Sequence, residues 1–103
     1  MKVIQWETAS TREQYGKTLV ELGEENSNIV VLGGDLNVST FTHLFGKAFP
    51  ERFFDFGAAE QNMISAAAGL AATGKIPFCS TFAVFGTGRA FDQIRLGVAQ
   101  PSL

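Results

Sequence analysis

The stretch AAEQNMISAAAGLAATGKIPFCST, Ala58 to Thr81, decides the fold class. Its first part, Ala58–Lys75, predicts a helix, with Met63, Ala67, Leu70 and Ala71 on one apolar stripe and Gly74 suited to the residue just past its end. Its small side chains let another backbone come close, so a sheet or a second subunit can pack tightly on it. The second part, Ile76–Thr81, is a short apolar run that reads as a strand, with Pro77 near the start, where a lost N–H matters least.

Outward from this unit the same alternation recurs. RFFDFG (Arg52–Gly57) reads as a strand before it, and GRAFDQIRLGVAQ (Gly88–Gln100) as a helix after it. Further upstream, NIVVLGGD (Asn28–Asp35) is a β-branched run stopped by two glycines, apolar on both faces. LNVSTFTHLFGKAFP is mixed, with a short helix expected around Thr42 to Ala48. STREQYGKTLVELGEEN (Ser10–Asn26) predicts a first helix: Ser10 and Glu13 have capping-box spacing, Tyr15, Leu19 and Leu22 share a face, and Gly23 and Asn26 suit its end.

One helix followed by three β-then-α units implies an α/β domain, a three-layer α/β/α arrangement with a mostly parallel sheet. Right-handed crossovers place all the strand C-termini on one edge, where such sheets bind ligands. Gly33, Gly34 and Asp35 belong to that edge, as do Glu60, Phe82, Phe85, Gly86 and Gly88. Three strands are few for this architecture, so the 103 residues are expected to form one partial domain, as if cut before a next strand.

Composition narrows the function classes. The formal net charge is −2, and the eight Lys and Arg residues form no basic cluster, which argues against nucleic acid. No apolar stretch approaches the roughly 20 residues of a membrane span, and MKVIQWETAS has no signal-peptide core. The single Cys79 fits a reducing cytosol and reads as a small buried residue. With one His and one Cys, no metal site of those two types can be assembled.

Phosphate-binding loops are poorly supported. GTGRAF lacks the third Gly of a dinucleotide fingerprint, and LGGDLN has no Lys or Ser in P-loop spacing. On residues alone, Glu60 is either a first-turn acid favoured by the helix dipole or a functional carboxylate. Phe82 and Phe85 are either core or ligand-facing, Arg12 either surface or binding, and Asp35 either a turn former or part of the site.

The stretch FFDFGAAEQNMISAAAGLAATGKIPFCSTFAVFGTGRAFDQIR resembles the pyrimidine-binding domain of the transketolase family, above all the split transketolases, in which this region begins a separate C-terminal subunit. G-x-x-E-x-x-M, T-F-x-x-F and the weaker LGGDL carry the similarity, which runs from about Ser10 to Leu103. The resemblance implies thiamine diphosphate as cofactor, with Mg2+ or Ca2+ bound by a partner domain. It implies transfer of a two-carbon ketol unit from a ketose phosphate to an aldose phosphate.

By the same resemblance, Glu60 matches the essential Glu that hydrogen-bonds N1′ of the aminopyrimidine, and Phe82 and Phe85 match rings that pack on it. Asp35 matches an acid near the cofactor, and Arg12 and Ser39 match groups at the sugar-phosphate end. Implied partners are a diphosphate-binding N-terminal transketolase subunit and a second copy of the chain, in a cytoplasmic enzyme. Two departures stand out: Gln61 replaces the His that many members carry, and Gly86 and Gly88 displace a third aromatic. The competing readings are an enzyme like 1-deoxyxylulose-5-phosphate synthase and a catalytically inactive interaction module.

Overall fold

Ser10 starts the first element as its sequence requires: its Oγ accepts the Glu13 N–H at 3.3 Å, and helix α1 runs Thr11–Glu25. The computed structural model describes residues 9–103, so the expectation for the amino-terminal Met1–Thr8 lies outside the described residues. Gly23, expected at the end of α1, lies inside it and is buried. The reason is non-local. A Cβ on Gly23 would stand 2.6 Å from the Phe45 ring, and one on Gly16 would stand 2.5 Å from Phe41 O. Both glycines let helix α2 (His43–Ala48) and the loop before it lie against α1.

Among the described residues the strands are β1 (Ile29–Gly33), β2 (Phe53–Asp55) and β3 (Ile76–Ser80). They form one sheet in the order β2-β1-β3 with both pairings parallel, as the alternation predicts. Val31 pairs with Phe53 on one side and Phe78 on the other. Every residue of β1 is buried, which explains its apolar run.

The two faces of β1 build two cores. Ile29 and Val31 pack with Leu19 of α1 and Phe45 of α2. Val30 and Leu32 pack with Met63 and Ala67 of helix α3 (Glu60–Ala72). The sheet is thus the middle of three layers. Leu19, Phe45 and Met63 are at most 1% exposed, and burying each contributes about 1.5–3 kcal/mol.

Strand β2 is shorter than the Arg52–Gly57 run suggested, because Arg52 ends a 3₁₀ turn, Pro50–Arg52. The Arg52 guanidinium donates to Gly23 O at 2.9 Å, Asn26 O at 3.1 Å and Ile29 O at 3.3 Å. It closes the C-terminal end of α1 and lies 4.0 Å from the centre of the Phe49 ring.

Helix α3 ends as expected at Gly74, whose φ is +95°. The Lys75 N–H bonds Leu70 O and the Gly74 N–H bonds Ala71 O, the paired bonds of a Schellman turn. At β3, the Ile76 N–H donates to Asn28 O at 2.9 Å, so the ring nitrogen of Pro77 faces the outer edge, where no ladder bond is lost.

The last helix departs most from expectation. It begins at Val84 rather than Gly88, and only Phe91–Gln93 (α4) is α-helical. Wider π turns flank it, Val84–Arg89 and Ile94–Ala99, with the Gln100 N–H reaching five residues back to Arg95 O. Gly86 and Gly88 weaken the α preference of the first turn, and π turns recur at functional sites. Among the described residues no helix is long and apolar enough to cross a membrane.

Candidate functional site

The C-terminal ends of the three strands meet on one edge, and Asp55 ties two of them together. Its Oδ1 accepts the Gly57 N–H at 2.9 Å and the Asp35 N–H at 3.1 Å, and its Oδ2 accepts Asn37 Nδ2 at 2.9 Å. These bonds, that from Gly57 foremost, hold the Asp55 carboxyl below the usual carboxylate range despite some desolvation. Asp35 thereby sits in the left-handed region with φ +66°, a conformation Asp tolerates better than most residues. Sequence reading placed Asp35 here but missed Asp55. An acid closing an otherwise aromatic strand, two residues before a Gly, was the available signal.

Glu60 is the first residue of α3 and is 4% exposed. Arg89 Nη1 lies 3.6 Å from Glu60 Oε1. The same guanidinium lies 4.2 Å from the centre of the Phe85 ring. Phe85 in turn stacks on Phe82, with centroids 6.0 Å apart and planes within 16°. The structure therefore joins Glu60, Phe85 and Phe82 through a residue that sequence reading did not single out. Gln61 Nε2 donates to Arg89 O at 3.0 Å, anchoring the first π turn. Glu60, Gln61 and Arg89 line a depression of about 410 Å³.

Phe82 is 43% exposed, so it is not a core residue. It faces a second cleft of about 570 Å³, shared with Arg12, Tyr15, Thr40, Ser80 and Thr81. Arg12 Nη1 donates to Ser39 O at 3.1 Å, which brings these two candidates together through the carbonyl of Ser39. The Tyr15 and Ser80 hydroxyls lie 2.7 Å apart at the floor of this cleft. Burial pushes the Tyr15 phenol above its ordinary value, and the Ser80 bond opposes that in part. Asp35 and Ser39 share a smaller depression of about 220 Å³.

Comparison with known proteins decides the family. The sequence profile described as "Transketolase, pyrimidine binding domain" matches residues 7–103. The chain belongs to that family.

A putative transketolase C-terminal section of Methanocaldococcus jannaschii is 59% identical over 92 residues, 89% of this chain and 29% of that protein. Human transketolase is 48% identical over 94 residues, 90% of this chain and 15% of that protein. A solved split gene transketolase, an inactive beta4 tetramer, superimposes with a TM-score of 0.81 at 63% identity, covering 90% of this chain and 31% of that one. The domain thus spans less than a third of each of these relatives.

The residues present in this pyrimidine-binding domain fit a flat, hydrogen-bonding ring. The buried Glu60 carboxylate stands one guanidinium away from two nearly parallel phenyl rings. Thr81 Oγ1 is buried with no hydrogen-bond partner among the described residues. It borders a gap beside Gly34, where a Cβ would stand 3.6 Å from that oxygen and 3.5 Å from Gly57 O. Such an orphaned acceptor and donor beside a side-chain-free backbone suits a polar ligand.

Proposed function

We propose that this chain supplies the pyrimidine half of a thiamine-diphosphate site in a transketolase, which moves a two-carbon ketol unit from a ketose phosphate to an aldose phosphate. The observation that carries the proposal is the Glu60 carboxylate, buried at the start of α3 and linked through Arg89 to the Phe85 and Phe82 rings. A carboxyl in that position hydrogen-bonds N1′ of the aminopyrimidine and holds a proton there. A charge-assisted bond of this kind contributes about 1.5–3 kcal/mol. Phe82 and Phe85 offer ring faces, worth about 0.5–1.5 kcal/mol beyond their area. The rings therefore position the cofactor, and Glu60 changes its reactivity. When bound, thiamine diphosphate supplies the nucleophilic carbon that a ketose carbonyl requires.

Arg12 and Ser39 would receive the phosphate end of the sugar, a role that suits the Arg12 guanidinium at a wide cleft. Asp35 would lie near the cofactor on the loop that Asp55 holds. Among the described residues no group of three or more His, Cys, Asp or Glu is placed to hold a metal ion. We assign Mg2+ or Ca2+, and the diphosphate, to a separate N-terminal subunit, in a cytoplasmic assembly that also pairs copies of this domain. The relatives named above are transketolases, which favours this reaction over that of 1-deoxyxylulose-5-phosphate synthase.

Calorimetry tests the half-site directly. Thiamine diphosphate with Mg2+ is expected to give no binding heat with this chain alone and a saturable heat once a diphosphate-binding subunit is added. Absence of heat in both cases would instead support a catalytically inactive interaction module.

A further inference from the structure

Arg89 stands against two of the groups assigned above to the aminopyrimidine. Its Nη1 is 3.6 Å from Glu60 Oε1 and its guanidinium carbon is 4.2 Å from the centre of the Phe85 ring. A guanidinium is flat, rich in N–H and cationic. It meets a carboxylate and a ring face in the same two ways as a planar, protonated nitrogen heterocycle.

The contact is loose on one side and fixed on the other. At 3.6 Å it is longer than the 2.7–2.9 Å of a charge-assisted hydrogen bond. The Arg89 side chain is 56% exposed, against 5% for that of Glu60. The Arg89 backbone, however, is anchored: its carbonyl accepts Gln61 Nε2, and the next residue, Ala90, is fully buried. The guanidinium can therefore swing into solvent while the turn that carries it stays in place. A buried carboxylate left without a partner is costly, and Arg89 supplies one as long as no ligand does.

We infer that Arg89 is a placeholder in the pyrimidine site: without cofactor its guanidinium pairs with Glu60 and covers Phe85, and the aminopyrimidine displaces it on binding. This rests on the cofactor assignment proposed above and adds to it a competitor inside the chain. Competition lowers apparent affinity by the fraction of sites from which Arg89 has swung away. An ion pair held at 3.6 Å, with its cation largely in solvent, biases such an equilibrium by up to about five-fold.

Thiamine diphosphate with Mg2+ is titrated by calorimetry into the two-subunit assembly carrying wild-type chain, Arg89→Met or Arg89→Lys. Arg89→Met is expected to tighten the apparent Kd by about two- to five-fold, with Arg89→Lys between it and the wild type. Circular dichroism melts report whether each variant folds. Where Arg89→Met does not fold, Arg89→Lys decides alone, since it keeps the charge and loses the flat face. Affinity equal to or weaker than wild type in a folded variant overturns the placeholder and leaves the cofactor assignment standing. No binding by the wild-type assembly overturns both.

Discussion

Tyr15 and Ser80 share a hydrogen bond of 2.7 Å between their hydroxyl oxygens, joining α1 to the C-terminal end of β3 across 65 residues of chain. Ser80 is only 9% exposed, so removing its partner leaves a nearly buried hydroxyl unpaired. Tyr15→Phe is expected to destabilise the chain by about 1–2 kcal/mol in a urea titration, and the double variant with Ser80→Ala by less than the sum of the two single changes. The Tyr15 phenol is pushed up, chiefly by burial. Its contribution is therefore full below the ordinary value of 10.0 and is lost as pH rises through the raised one, a loss that Tyr15→Phe should remove.

Asp55 carries the opposite pH dependence. Its carboxyl is held below the ordinary value of 3.8, first by the Gly57 N–H. The stabilisation is thus present above that value and fades as pH falls through the lowered one. Asp55→Asn keeps some of the bonds but loses the charge, and because the side chain is largely solvated the expected cost near pH 7 is only about 1 kcal/mol. Urea midpoints measured from pH 7 down to about pH 3 should fall less steeply for the variant than for the wild type.

Gly16 and Gly23 are where α1 comes closest to the chain after β1. A Cβ at Gly16 would meet Phe41 O at 2.5 Å, and one at Gly23 would meet the Phe45 and Phe49 rings at 2.6 and 2.8 Å. Each Gly→Ala change improves local helix propensity by about 1 kcal/mol, yet overpacking costs about 1–3 kcal/mol. Rings can give way more easily than a backbone oxygen. Gly16→Ala is therefore expected to lower the thermal midpoint more than Gly23→Ala, as read by calorimetric melting.

Burial pushes the Cys79 thiol up to about 11 from an ordinary 9.0, which leaves about a hundred-fold less thiolate near neutral pH. Disulfide reagents such as dithionitrobenzoate should modify Cys79 slowly in the folded chain and rapidly in denaturant. Fast modification of the folded chain would show that β3 is open at this position.

What the sequence reveals and what it withholds divide along local and non-local lines. Met63, Ala67 and Gly74 announce α3 because a helical stripe and a left-handed end are written within one segment. The parallel sheet follows from the order of such segments, and Glu60 is singled out by the family resemblance because the G-x-x-E-x-x-M motif that carries it is local too. Arg52 was illegible because its three carbonyl partners lie more than twenty residues away. Arg89 was missed for the same reason, since nothing near it in the chain points to Glu60. Gly23 looks like a helix end until the rings of Phe45 and Phe49 are placed beside it. The π turns around α4 escaped because Gly86 and Gly88 suggest a loop when read without the packing of Ala90.

The most direct measurement of the central claim is the steady-state turnover of the assembled two-subunit enzyme carrying Glu60→Gln, alongside its thiamine-diphosphate affinity. The amide preserves the size of the side chain and still hydrogen-bonds a ring nitrogen, but it does not handle a proton. Cofactor binding is expected to persist while turnover falls by more than about 10²-fold. Turnover near the wild-type rate would contradict the role of Glu60.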